Sequence, residues 1–99
     1  MFFFTFRAHP RPGHAEYGTV DGAYVACWVA EPIESVAEDI AREAIEAQEW
    51  DVEERDEGYP VSLGDYELGS ESRERCEQAS IDGVVLTFHT WPVGAPDED

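Results

Sequence analysis

The sequence predicts an α+β domain, and three observations carry that prediction. The stretch from Ile33 to Trp50 places apolar residues at Ile33, Val36, Ala37, Ile40, Ala41, Ala44, Ile45 and Ala47, the i, i+3, i+4 rhythm of one helix face. Several shorter stretches alternate with period two and are rich in aromatic and β-branched residues, as strands are. Gly, Pro and Asp punctuate the intervals between them.

In chain order, Phe2 to Ala8 reads as a half-buried strand, with Phe2, Phe4, Phe6 and Ala8 sharing one side. Pro10, Pro12 and Gly13 end it, which makes His9 to His14 a loop. Ala15 to Ala30 reads as a hairpin turning at Asp21-Gly22, because a type I′ turn needs positive φ at both central residues. Its second arm, Ala23 to Ala30, is apolar on both faces and therefore central, with cover on each side. Ser35 and Glu38 have the spacing of a capping box for the helix that follows. Trp50 to Asp56 begins as a strand and becomes almost wholly charged, so it is expected to leave the sheet near Glu54. With Ala23–Ala30 and the helix it would form a right-handed βαβ unit. Val61 to Leu63 reads as a short edge strand. Ser70 to Ile81 suits a second helix, N-capped by Ser70 and stopped by Gly83. Val84 to Trp91 is the last strand, and Pro92 ends it.

These elements assemble into one domain over residues 1–93, followed by an acidic tail, 94–99, expected to be mobile. The expected architecture is a mainly antiparallel sheet of four to six strands with two helices on one face, ferredoxin-like with an added N-terminal hairpin. Helices on one face leave the other to be covered. Tyr24, Trp28, Phe88 and Trp91 are the aromatic residues that a homodimer interface would use. The pattern of AYVACWV, an amphipathic helix ending in EW, a DY-containing loop, an acidic second helix and a closing FHTWP resembles small uncharacterised bacterial acidic α+β proteins, of a domain-of-unknown-function type, over residues 15–92. The resemblance implies one compact module and no activity, cofactor or catalytic residue.

Charge is the compositional outlier: 23 acidic residues against six arginines and no lysine give −17. Residues 1–30 are neutral, whereas 31–57 hold twelve acids against Arg42 and Arg55, and 58–99 hold nine against Arg73 and Arg75. Such a chain is repelled by nucleic acid and by anionic membrane, so its partners are expected to be itself or a basic protein. No run of apolar residues is long enough to span a membrane, and Met1 to Phe4 lacks the basic region of a signal peptide, which makes the cytoplasm the expected location. Cys27 and Cys76 are then expected as free core thiols.

Three groups carry conceivable chemistry. His9, His14 and Glu16 offer two imidazoles and a carboxylate in one loop, a ligand set that suits zinc, although a rigid turn explains the loop equally well. Cys27 or Cys76 with His89 could form a thiolate pair, but acidic surroundings push a thiol pKa the wrong way. Glu53, Glu54, Asp56 and Glu57, with Glu43, Glu46 and Glu49 on the helix before them, form the acidic stretch that a basic partner would meet. The same carboxylates could mimic a phosphate backbone in an electrostatic inhibitor. No phosphate-binding loop, dinucleotide fingerprint, nucleophile elbow, CxxC or HExxH motif occurs, and no cofactor is expected. The sequence thus favours a non-enzymatic, acidic interaction module, with a small enzyme or ligand binder using a sheet–helix pocket as the alternative.

Overall fold

A computed structural model describes residues 1–93 of the chain; the expected acidic tail, 94–99, lies outside the described residues. The elements are β1 (Phe2–Pro10), β2 (Val20–Val29), α1 (Glu34–Glu46), β3 (Trp50–Pro60), a 3-10 turn (Leu63–Asp65), α2 (Glu71–Asp82) and β4 (Val84–Pro92). The four strands form one antiparallel sheet in the order β3-β1-β2-β4. Strands β2 and β3 both run against β1, so they are parallel to each other and α1 crosses over β1 to join them.

The alternating side chains of the strands build two cores. Phe4, Phe6, Ala8, Ala23, Val25, Cys27 and Val29 point to one face, where Ala37, Ala41 and Ile45 of α1 cover them. Full burial of Phe4, Phe6 and Ile45 contributes about 1.5–3 kcal/mol each. On the opposite face Trp28 meets Cys76 and Ala79 of α2, with Phe3, Ala26 and Val85 around them. The two helices therefore lie on opposite faces, not on one as expected, and the ferredoxin-like arrangement is not formed. The apolarity of β2 on both sides is the physical reason: a strand buried on each face needs a cover on each face.

Other expectations also change. There is no hairpin turning at Asp21-Gly22: β1 and β2 themselves pair, joined by the loop 11–19. Asp21 is the extra residue of a bulge within β2, where Val20 faces Pro92 and Gly22 faces Trp91. Gly22 is needed for space, since a Cβ there would lie 2.5 Å from Trp91 Cζ2 and 3.1 Å from the Ala8 carbonyl oxygen. The Ser35 box is not made: α1 starts after Ile33 without a side-chain cap, and Glu38 turns instead to Arg42 and Arg55. Ile33 and Val36 stay exposed. For α2 the expected signals operate, with Ser70 accepting from the Arg73 amide at 3.2 Å and Gly83 closing the helix at φ 93°. Val61 to Leu63 is not a strand; the chain instead closes a capping box between Ser62 and Asp65.

Candidate functional site

The acidic stretch after Trp50 does not leave the sheet. It remains paired to Pro60 because two bulges change its period. The register sets Val52 opposite Ala8, Arg55 opposite Phe6 and Gly58 opposite Phe4, all on the α1 face. Between these inward residues lie two pairs of acids, Glu53–Glu54 and Asp56–Glu57, where regular pairing would allow one residue each. Inward positions thus recur every third residue, and both intervening pairs are exposed.

The inward arginine anchors this strand to α1. Arg55 donates to Glu38 (2.5 Å) and Glu34 (3.2 Å), and its guanidinium lies 5.1 Å from the Phe4 ring centroid. Gly58 leaves room for it: a Cβ at 58 would fall 2.3 Å from Arg55 Nη2. Hydrogen bonds from Arg55 and then Arg42 hold the Glu38 carboxyl below its ordinary value, against the opposing effect of burial.

The outward acids face the side of the sheet opposite α1. Arg7 lies 3.5 Å from Glu54, and His9 lies 3.4 Å from Glu53 and 3.5 Å from Asp51. Arg11 donates to Asp51 at 2.7 Å. Helix α2 covers the β2 and β4 side of this face around Trp28 and reaches Phe3 at one end of β1; among the described residues no helix packs on the rest of the β1 and β3 side. At the border of the covered and open halves, Arg7 donates to the Tyr24 hydroxyl at 2.9 Å, and its guanidinium sits 5.3 Å from the Tyr24 ring centroid. Tyr24, 44% exposed, packs against Trp91 with ring centroids 5.2 Å apart. The hydrogen bond to Tyr24, and then the nearby Asp56 and Glu54 carboxylates, raise the Arg7 pKa above its ordinary value. Among the described residues its buried Nε has no hydrogen-bond partner. A recess of about 380 Å³, lined by His9, Pro10, Tyr17, Val20 and Asp21 among others, adjoins this end of the sheet.

The sheet divides the expected site residues. Glu43, Glu46 and Glu49 are exposed on or just after α1, whereas Glu53, Glu54 and Asp56 lie by His9 and Arg7 of β1 and Glu57 pairs opposite Thr5; Arg11, bonded to Asp51 and to the Glu46 carbonyl, stands between the two groups. Of the four aromatic residues expected at a dimer interface, Tyr24 and Trp91 meet on the open side. Trp28 is buried under α2, donating to the Tyr66 hydroxyl at 3.2 Å, and Phe88 stacks on Trp50 in the α1 core with ring centroids 5.4 Å apart. His14 packs on the Trp50 ring and its Nδ1 accepts from the Glu16 amide at 3.0 Å, while His9 sits on β1. Among the described residues no three His, Cys, Asp or Glu side chains are gathered as metal ligands.

Cys27 and His89 point to opposite faces, which separates the two members of that thiolate–imidazole pair. Burial pushes the Cys27 thiol up to about 12 and also raises that of Cys76, whose sulfur lies 3.2 Å from Met1 Sδ. His89 instead lines a cavity of about 170 Å³ beside α2, with Trp28, Ser72, Arg75 and Thr87. Among the described residues no helix is long and apolar enough to cross a membrane. Comparison with protein-family models, with curated proteins and with solved structures finds no match to this chain.

Proposed function

We propose that the protein is a non-enzymatic interaction module that holds a basic segment of a partner protein on the open half of its sheet. One observation carries this reading: the two bulges of β3 set four carboxylates along the half-face that α2 leaves uncovered, and Arg7 links one of them, Glu54, across β1 to Tyr24 of the Tyr24–Trp91 pair. Carboxylates attract lysine and arginine over a distance, and exposed aromatic faces hold a cation at contact by about 0.5–1 kcal/mol. Tyr, Trp and Arg are also the residues that most often anchor protein interfaces. Arg7, tied to Tyr24 and Glu54, fixes the anchor's position and leaves the remaining acids in excess. An electrostatic inhibitor that enters the basic cleft of a nucleic-acid-binding protein is a special case of the same reading. The division of the acids between α1 and β3 restricts the row available to it.

The test is a titration of the isotope-labelled chain with arginine-rich peptides, followed by nuclear magnetic resonance. Shifts are expected at Arg7, Tyr24, Glu54 and Glu57, weakening steeply with salt. Tyr24→Ala and Trp91→Ala should each weaken binding about 5-fold or more with the fold retained. Shifts centred on Glu43 and Glu46, or the absence of binding, count against the proposal.

A further inference from the structure

We infer that the β4 edge pairs with the β4 edge of a second copy, antiparallel, to make one continuous eight-stranded sheet. The inference concerns the edge of the sheet and not the open face of the basic-partner site; the two share only Trp91, and each stands or falls on its own test.

A sheet of four strands has two edges, and each offers a row of unpaired amides and carbonyls. The β3 edge carries Asp51, Glu53, Glu54, Asp56 and Glu57 and is bent by two bulges. Val84 to Trp91 of β4 contains no charged residue, and its pairing with β2 is regular from Val84 to Trp91 apart from the Asp21 bulge beyond Gly22. No described strand pairs with its outer side. Val84, Leu86 and Phe88 pack on the α1 core and Val85 on the α2 core, yet all four stay only partly buried, because the sheet stops beside them. Another half-sheet would complete that cover.

Charge selects the occupant. A second chain of −17 is repelled by most of this surface and can approach closely where no carboxylate stands on the strand. Three strand spacings place β4 about 14 Å from β3, beyond the Debye length of about 8 Å at physiological salt. A basic segment, by contrast, is drawn to the β3 side. Self-pairing about a dyad near the strand's centre sets Thr87 or Phe88 against the same residue of the second copy, and both threonine and aromatic pairs stabilise antiparallel strands. The dyad is normal to the sheet, so both α1 helices lie on one face. Helix α2 rides over β2 and β4, which would set the two α2 helices about 10 Å apart, an ordinary packing distance. Both open half-faces then point the same way.

Hydrogen exchange of the full chain at low and high protein concentration, with sedimentation velocity in parallel, tests the inference. Dimerisation should protect amides of β4 and leave those of β3 unchanged. Because the exposed acids of α2, Glu71, Glu74 and Glu77, also approach across the dyad, the dissociation constant should fall about 5-fold or more between about 0.05 and about 0.5 M NaCl. Substituting His89→Glu with Thr90→Glu, both exposed, should weaken the dimer about 10-fold or more. If that variant fails to fold, the exchange map of the unaltered chain still decides. A monomer at every concentration and salt, or protection on β3 in place of β4, overturns the inference, and neither result touches the basic-peptide titration.

Discussion

The two edge strands of one sheet solve the edge problem in opposite ways. Strand β3 has eleven residues, five acids from Asp51 to Glu57 and two bulges, so a neighbouring strand meets both a broken ladder and negative charge. Strand β4 has nine residues, no charge and a regular ladder, and among the described residues its outer side is unpaired. An edge protected in both ways faces water or a basic ligand, and an edge protected in neither invites another strand. The acidity of the chain is thus distributed with respect to the sheet and is not uniform over it.

The largest expected effect separates a bulged strand from a regular one. Deleting Thr87 from β4 reverses the face of every residue on one side of the gap, sending either Val84 and Leu86 or Phe88 away from the α1 core. The variant should lose more than about 4 kcal/mol and fail to show a cooperative urea transition. Deleting Asp56 from β3 removes only the surplus residue, since Arg55 and Gly58 would then be separated by one position and both still face α1. That variant should fold, losing about 1–2 kcal/mol. Equal damage from the two deletions would show that the bulge holds more than a spare residue.

Next in size is Gly22→Ala, at the far end of β2 beside β4. The new methyl would press on the Trp91 ring and on the Ala8 carbonyl, and the backbone oxygen cannot swing aside as a side chain can. A loss of about 1–3 kcal/mol in denaturant unfolding is expected, with a change in tryptophan fluorescence as Trp91 shifts from Tyr24.

Much of this fold is legible in the sequence, and the parts that are not share a cause. The apolar rhythm around Ile40 and Ile45 marks α1, and Ser70 and Gly83 mark the ends of α2, because these signals are local. The run Val52 to Gly58 reads as a departing charged segment only if a strand is required to alternate with period two. Read with period three, Val52, Arg55 and Gly58 form an inward row, and the acids fall outside it. Asp21-Gly22 has the composition of a turn, yet tertiary packing of Trp91 over Gly22 makes it a bulge. Of the candidate site, Tyr24, Trp91 and the β3 acids are visible as residue types, but Arg7 is not. Nothing in FFFTFRA says that its arginine lies between a tyrosine of β2 and a glutamate of β3. The two-sided apolarity of Ala23 to Val29 already requires cover on both faces, and that signal could have placed the helices correctly.

A smaller effect sharpens the role of the inward arginine of β3. Arg55→Gln should cost about 1 kcal/mol in buffer near pH 7, a modest figure because both Arg55 and Glu38 keep some contact with solvent. Its pH dependence is more diagnostic. The folded Glu38 pKa lies below its ordinary value of 4.5, so the pair's contribution is complete above that value and is lost as pH falls through the lowered folded pKa. The difference in stability between the native chain and Arg55→Gln should therefore be largest near neutrality and shrink on acidification. A constant difference across that range would assign the cost to packing of the guanidinium on Phe4 instead.

The smallest expected change in folding free energy tests the edge comparison most directly. Glu53→Gln, Glu54→Gln, Asp56→Asn and Glu57→Gln keep the shape of β3 and its bulges while removing four of its charges. Each exposed substitution should alter stability by no more than about 0.5 kcal/mol. What should change is association: with four of the five acids neutralised and the bulges intact, light scattering separates the two protective devices. Growth of open-ended assemblies, as β3 edges begin to pair in addition to β4 edges, would make charge the dominant guard. A variant that stays as small as the native chain would assign that role to the bulges, and the acids would then be left with the basic partner as their use.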